Sequence, residues 1–236
     1  MKKIDWARVA RWAVIVAMPF LLTLGTLRII VSWDSPSYPR FEYGRIQPDR
    51  YGFTPEERLA LAEATLDYLR APGPAEDAIV ILEELTLPGS DESLYNQREI
   101  GHMLDVKRLT DIFAQAIWPL AVIVIGGLLF LLSAAERREE GYRAIRSGGL
   151  LTTGTLLAII ALIGVSWNFV FTQFHEILFP PDTWTFYYTD SLIRLFPERF
   201  WFDFGLLWTG AVFIEGLLLA VLGFWLLRRR DKRMRA

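Results

Sequence analysis

No cysteine occurs in the 236 residues, so disulfides, thiolate metal sites and a cysteine nucleophile are excluded. Histidine is almost as scarce: His102 and His175 are the only imidazoles. Their separation of 73 residues matches no local metal-ligand motif, so neither a metal nor a cofactor is expected. No serine stands in a Gly-x-Ser-x-Gly element. The nearest stretch, Gly164-Val165-Ser166-Trp167-Asn168, fails the pattern, and a serine acyl-enzyme has no support. Charge of one sign is also missing: 25 Lys and Arg against 27 Asp and Glu leave no basic excess for nucleic acid. There is no internal repeat and no low-complexity tract.

Apolar residues are abundant. They make up 53% of the chain and gather into four nearly uncharged stretches, residues 9–33, 112–135, 147–174 and 204–227. Each exceeds the ~20 residues that cross ~30 Å of hydrocarbon, so each is read as a transmembrane helix. Lys2, Lys3, Arg8 and Arg11 before the first stretch resemble the start of a signal peptide. The apolar run is too long for one and no small-x-small cleavage site follows, which makes it a retained anchor. Basic residues crowd this N-terminus, the 136–146 loop (Arg137, Arg138, Arg143, Arg146) and the 228–236 tail (Arg228, Arg229, Arg230, Lys232, Arg233, Arg235). By the positive-inside rule both termini are cytoplasmic, and the segments 34–111 and 175–203 are extracellular. Gly126, Gly127, Gly154 and Gly164 are assigned to helix packing.

The segment 34–111 is 78 residues long, enough to fold as a cap. Thr54-Pro55-Glu56-Glu57 predicts a helix start with Thr54 as N-cap, Pro55 at the first position and Glu57 closing a capping box. That helix should stop before Pro72-Gly73-Pro74. Residues 78–87 read as a strand or a short helix, and a further helix is expected to start near Ser90 or Asp91 and run through His102 into the second span. In the 175–203 loop, residues 189–196 predict a short helix capped by Thr189 or Asp190 and ending at Pro197. The fold class is therefore an all-α membrane protein: four transmembrane helices with an extracellular, mainly helical cap.

Residues 167–204 hold 14 aromatic side chains in 38 positions, a density that suits a band at the membrane interface or the wall of a lipid-shaped cavity. This points to an integral membrane enzyme acting on a lipid-linked substrate. Trp167, Phe174, Trp184 and Tyr187 are the candidate substrate-binding rings. Arg28, five residues before Trp33, either snorkels or meets polar groups of the substrate. On a helix His102 shares its face with Arg98 and Asp105, and the ordinary reading is a solvated histidine among surface ion pairs. Spacing alone also favours a structural role for His175. Counting outward along straight helices places His102 about 12 Å above His175, so a meeting of the two requires a bend between His102 and Ala116. Glu215 falls in mid-span, where it either serves function or hydrogen-bonds a neighbouring helix.

Three blocks carry a wider likeness. Asp49-Arg50-Tyr51-Gly52-Phe53-Thr54-Pro55-Glu56-Glu57-Arg58, then Asn96-Gln97-Arg98-Glu99-Ile100-Gly101-His102-Met103-Leu104-Asp105-Val106, then Phe174-His175-Glu176-Ile177-Leu178-Phe179 resemble the bacterial membrane family that includes lipoprotein intramolecular transacylase. Trp184, Asp190 and Phe196-Pro197-Glu198 extend the resemblance over nearly the whole chain.

The resemblance implies catalytic histidines at His102 and His175 where cap and membrane meet. The implied reaction moves the sn-2 acyl chain of a lipoprotein's diacylglyceryl group to the α-amino group of its N-terminal cysteine, giving the lyso form. His175 is assigned as base and His102 as its partner. The implied partners are a diacylglyceryl-modified lipoprotein and membrane lipids, in the cell membrane with the site on the extracellular side. Two other classes stay open: a non-catalytic membrane protein that binds lipid or lipoprotein through its cap, and a proton-coupled transporter working through Glu215, which four spans without a repeat disfavour.

Overall fold

The computed structural model describes residues 5–33 and 37–235. Lys2, Lys3, the first residues of the expected cap (34–36) and Ala236 at the end of the tail lie outside them. In chain order the elements are α1 (Trp6–Ser32), α2 (Tyr38–Tyr43), α3 (Pro55–Arg70), α4 (Ala75–Ala78), α5 (Val80–Glu83), α6 (Gln97–Ala121), a π-helical turn (Val122–Gly126), α7 (Gly127–Leu132), α8 (Arg138–Val165), α9 (Trp167–Leu178), α10 (Ser191–Leu195) and α11 (Glu198–Arg235). Among the described residues no strand forms, and one isolated bridge pairs Thr86 with Ser93. Four helices are long and apolar enough to cross a membrane: Trp6–Ser32, Gln97–Leu132, Arg138–Val165 and Glu198–Met234. The protein is an all-α, multi-pass membrane protein, the class its apolar runs predict.

The chain divides into two compact units. The first gathers Met1–Leu27, Ala114–Gly164 and Leu206–Ala236 and consists of the apolar helices. Its core is formed by Val14, Ile15, Ala17 and Met18 of α1 with Val124, Leu131 and Ala144. Helices α8 and α11 approach through glycine: a Cβ on Gly149 would stand 2.4 Å from the Ala220 amide nitrogen, which no side chain could relieve. Among the glycines expected to pack helices only Gly127 does so, against Val14; Gly126, Gly154 and Gly164 face open space. The other packing glycines are Gly141, Gly148, Gly149, Gly216 and Gly223, a pattern visible only once the helix faces are known. Glu215 accepts hydrogen bonds from Thr26 Oγ1 at 2.8 and 3.0 Å, so it bonds α1 to α11.

The second unit gathers Arg28–Phe113 and Val165–Gly205. Helix α3 starts as its sequence dictates: Thr54 Oγ1 accepts from the Glu57 amide at 3.2 Å, and the Glu57 carboxylate accepts from the Thr54 amide at 2.8 Å. Near the end of α3, Arg70 turns its guanidinium to the chain that leaves α1, donating to the carbonyls of Val31 and Trp33. The 49–58 block owes its pattern to a turn tied down by Asp49. The Asp49 carboxylate accepts from the amides of Tyr51 and Phe53 and pairs with Arg194, whose guanidinium lies 3.5 Å from the centre of the Phe53 ring. Arg58, 4% exposed, donates to the carbonyls of Gln47 and Arg194. All these groups find partners within the unit, so this block holds structure rather than reagents. Tyr68, Leu82, Tyr95, Met103, Leu195 and Phe200 are among the side chains that fill the core around it.

Two expectations are corrected here. The helix bearing His102 begins at Gln97, not near Ser90 or Asp91. Residues 85–94 instead form a turn closed by Leu87 N–H to Glu92 C=O and Leu94 N–H to Leu85 C=O, with Gly89 at φ 74°. Nor is there a break between His102 and Ala116, because α6 runs as one helix to Ala121. Its irregularity comes later, at Pro119 and the π-turn that follows, where the missing proline N–H disturbs the ladder. The interruption lies elsewhere in the chain, at Ser166 (φ −153°, ψ 81°), which ends α8 and leaves His175 on the separate helix α9. The straight-helix count failed there.

Candidate active site

Helix α6 places His102 with a reciprocal cap of its own. Asn96 Oδ1 accepts from the amides of Arg98 and Glu99, and the Glu99 carboxylate accepts from the Asn96 amide at 2.8 Å. The second Glu99 oxygen accepts from the Leu192 amide at 2.7 Å and so holds the start of α10. Asp190 ties the same region down: it pairs with Arg98 at 2.8 Å and accepts from the Tyr187 amide at 2.9 Å and the Asn96 side chain. These bonds fix the 180–190 loop to the first turn of α6. As a result the Phe186 ring sits 5.3 Å from the His102 ring.

Helix α9 supplies His175. Its Nδ1 lies 2.7 Å from the Phe171 carbonyl oxygen one turn earlier. A proton on Nδ1 makes that a hydrogen bond, which leaves the Nε2 lone pair as the free basic position. Four rings surround the imidazole at centre distances of 4.1 Å (Phe171), 4.9 Å (Trp184), 5.4 Å (Phe174) and 5.5 Å (Phe179). Helix α9 ends where Phe179 donates its amide to the His175 carbonyl and the two prolines begin. This turns the Phe179 ring toward both histidines, 5.0 Å from His102. The imidazoles themselves stand 6.2 Å apart, centre to centre, with planes 26° from parallel.

No carboxylate is bonded to either ring among the described residues. Asp105 pairs with Arg108 and Arg98 with Asp190, so the expected surface partners of His102 are engaged elsewhere. His102 is 7% exposed, and its Nδ1 is buried without a hydrogen-bond partner. Helix Gln97–Leu132 would be about 54 Å long, well beyond the ~30 Å of hydrocarbon. Its charged first part, Arg98 to Asp111, is therefore outside the spanning segment, and His102 with it. Burial, and next to it the charge of His175, pushes the His102 pKa down to about 4. Burial also lowers His175, against the opposing pull of the Phe171 carbonyl. Both shifts favour the neutral imidazole.

The sequence-derived candidates divide into three groups. Phe174 and Trp184 touch His175 directly. Trp167 stands one ring back, its ring tilted 49° against Phe171 at 5.5 Å, and its indole Nε1 is buried and unbonded. Tyr187 is at the rim, its exposed ring 5.0 Å from the Arg98 guanidinium. Arg28 is exposed near the end of α1. Sequence reasoning missed Phe171, Phe179 and Phe186 as site residues and Glu99 and Asp190 as their support. The i−4 spacing of Phe171 to His175 was the available signal for the first of these.

The protein is thus a multi-pass helical membrane protein whose two imidazoles share one aromatic enclosure. The family model described as lipoprotein intramolecular transacylase Lit matches residues 12–201, and the chain belongs to that family. An uncharacterized protein of Aquifex aeolicus (strain VF5) is 29% identical over 191 residues, covering 80% of this chain and 82% of its own. Among solved structures, the membrane integral lipoprotein intramolecular transacylase Lit from Bacillus cereus is similar, with a TM-score of 0.72, 21% identity and 98% of both chains covered. A form of that protein with one histidine replaced by arginine gives 0.66 at 19% identity, covering 98% of this chain and 95% of that one. At such identities the likeness shows the fold.

Proposed function

We propose that this protein is an intramolecular O-to-N transacylase. Its substrate is a lipoprotein with a diacylglyceryl group on the N-terminal cysteine, and the product is the lyso form. The observation that carries the reading is the pairing of His175, its Nδ1 bonded to the Phe171 carbonyl, with buried His102 inside one aromatic enclosure.

In the reaction the α-amine attacks the sn-2 ester carbonyl. A C–N bond forms, the C–O bond to glycerol breaks, and the amine proton ends on the glyceryl oxygen. His175 Nε2 takes that proton as the nitrogen becomes acidic and delivers it to the departing oxygen, while neutral His102 donates a hydrogen bond to that oxygen. An α-amine with a pKa of about 7.7–8 is partly free at neutral pH, so a neutral imidazole suffices as base. Nucleophile and ester share one molecule, and the rings around His175 supply the apolar surface that folds it into a reactive shape. By the positive-inside rule both termini are cytoplasmic and this site lies on the extracellular side.

A synthetic diacylglyceryl lipopeptide with a free amine, compared with one whose amine is acetylated, tests this. The first should rearrange at constant mass and the second should remain unchanged. Release of free fatty acid from either would make the protein a hydrolase, and binding without rearrangement would favour the non-catalytic reading.

A further inference from the structure

At one end of the membrane-spanning unit three arginines lie over aromatic rings: Arg137 on Phe130 at 3.9 Å, Arg146 on Phe224 at 5.3 Å and Arg229 on Trp225 at 3.7 Å. The rings belong to α7 and α11, and all three are exposed. Of the carboxylates at this end, Glu139 and Glu140 are engaged by arginines, and exposed Glu136 and Asp231 are outnumbered by the basic side chains around them. Glu140 pairs with Arg11 and Arg143, and Glu139 with Arg143 and Arg230. Arg137, Arg146 and Arg229 have no ion pair among the described residues, so this end carries uncompensated positive charge. Arg146 is the most constrained of them. Its backbone meets Gly223 so closely that a Cβ there would stand 2.5 Å from the Arg146 amide nitrogen, and its Nε is buried without a partner. An orphaned guanidinium N–H of this kind calls for an anionic acceptor.

Depth supports the same partner. From Arg146 to Val165, the end of α8, is 19 residues, about 28 Å of helix and close to the ~30 Å of hydrocarbon. The guanidinium therefore stands at headgroup level, with exposed Phe224 and Trp225 at the level of glycerol and the first methylenes.

We propose that this end binds the phosphate of an anionic phospholipid, with Arg146 as its main ligand, the Arg229–Trp225 stack as a second basic edge, and Phe224 as the apolar floor. The site is independent of the histidine pair and holds a lipid that is bound rather than consumed.

Native mass spectrometry of the full chain, released from neutral detergent with either phosphatidylglycerol or phosphatidylcholine added, tests the proposal. Phosphatidylglycerol should remain bound where phosphatidylcholine does not, and an equal excess of inorganic phosphate should not displace it. Arg146→Gln should weaken retention about fivefold, the contribution of one interfacial arginine. Arg229→Gln should weaken it less, and Arg233→Gln, beyond the stacks, should leave it unchanged. Phe224→Leu should weaken it while every charge is kept, and this variant serves if Arg146→Gln fails to fold. Equal retention of the two lipids, displacement by phosphate, or full retention by a folded Arg146→Gln or Phe224→Leu protein would overturn it.

Discussion

His175 Nδ1 stands 2.7 Å from the carbonyl oxygen of Phe171, and this one contact sets which nitrogen of the imidazole is free to react. It uses the backbone of the histidine's own helix as the orienting group, the role a carboxylate plays in many imidazole sites. No buried carboxylate charge is then needed to orient the ring.

Removal of either imidazole should abolish acid–base help without unfolding the chain. His175→Ala and His102→Ala are expected to lower turnover by about 10²–10⁴-fold, the usual range for a positioned general base or acid. His102→Phe, which refills the buried space, should be as inactive and better folded. Turnover of a diacylglyceryl lipopeptide, alongside thermal unfolding, checks both points.

Acid should act on activity and stability in the same direction. A histidine depressed by burial is neutral when folded and protonated more readily when unfolded, so its contribution is whole above the unfolded pKa of about 6.5. It is lost as pH falls from there toward the folded value, which is about 4 for His102. The stability lost over that window should reach about 3 kcal/mol at most. Thermal unfolding between pH 7.5 and 4.5 should show a fall that His102→Phe reduces. The acid limb of turnover should lie below pH 6.5, because neither imidazole protonates at its ordinary pKa.

Glu99 is expected to matter beyond its distance from the chemistry. Its buried carboxylate accepts from the amides of Asn96 and Leu192, and Glu99→Ala would leave both donors unpaired at about 1–3 kcal/mol each. Glu99→Gln keeps an acceptor for one of them and should recover part of the loss. The readouts are unfolding temperature and the KM for lipopeptide, since a loosened 180–190 loop frees the Trp184 and Phe186 rings that flank the histidines.

Two glycines one turn or so apart on α8 should behave oppositely. Gly149→Ala forces a Cβ to 2.4 Å from the Ala220 backbone and should reduce the yield of folded protein sharply. Gly154→Ala meets nothing within 4 Å and gains helix propensity, so it should be neutral or slightly stabilising. Monodispersity and unfolding temperature of the two variants compare them directly.

Much of the fold was legible because its signals are local. Apolar runs longer than a bilayer gave the four spanning helices, and Thr54 with Glu57 gave the start of α3 in full. The site was legible as two residue types and an aromatic wall. Its geometry was not, because it depends on long-range events: a chain break at Ser166, and ties from Glu99 and Arg98 to residues more than 90 positions later. The same holds for Arg98 and Asp105, which sequence placed beside His102 and the fold engages elsewhere. The meaning of Asp49 was hidden for a similar reason, since its partner Arg194 is 145 residues away.

Fragmentation mass spectrometry of an intact diacylglyceryl lipoprotein, incubated with the purified wild-type protein or with His175→Ala, tests the central claim most directly. Acyl migration leaves the total mass unchanged but moves one acyl chain onto the N-terminal cysteine fragment. N-acyl-cysteine with a lyso-glyceryl group from the wild type, and unrearranged substrate from the folded variant, is the predicted result. Unrearranged substrate from a folded wild-type protein, or full rearrangement by the variant, would contradict it.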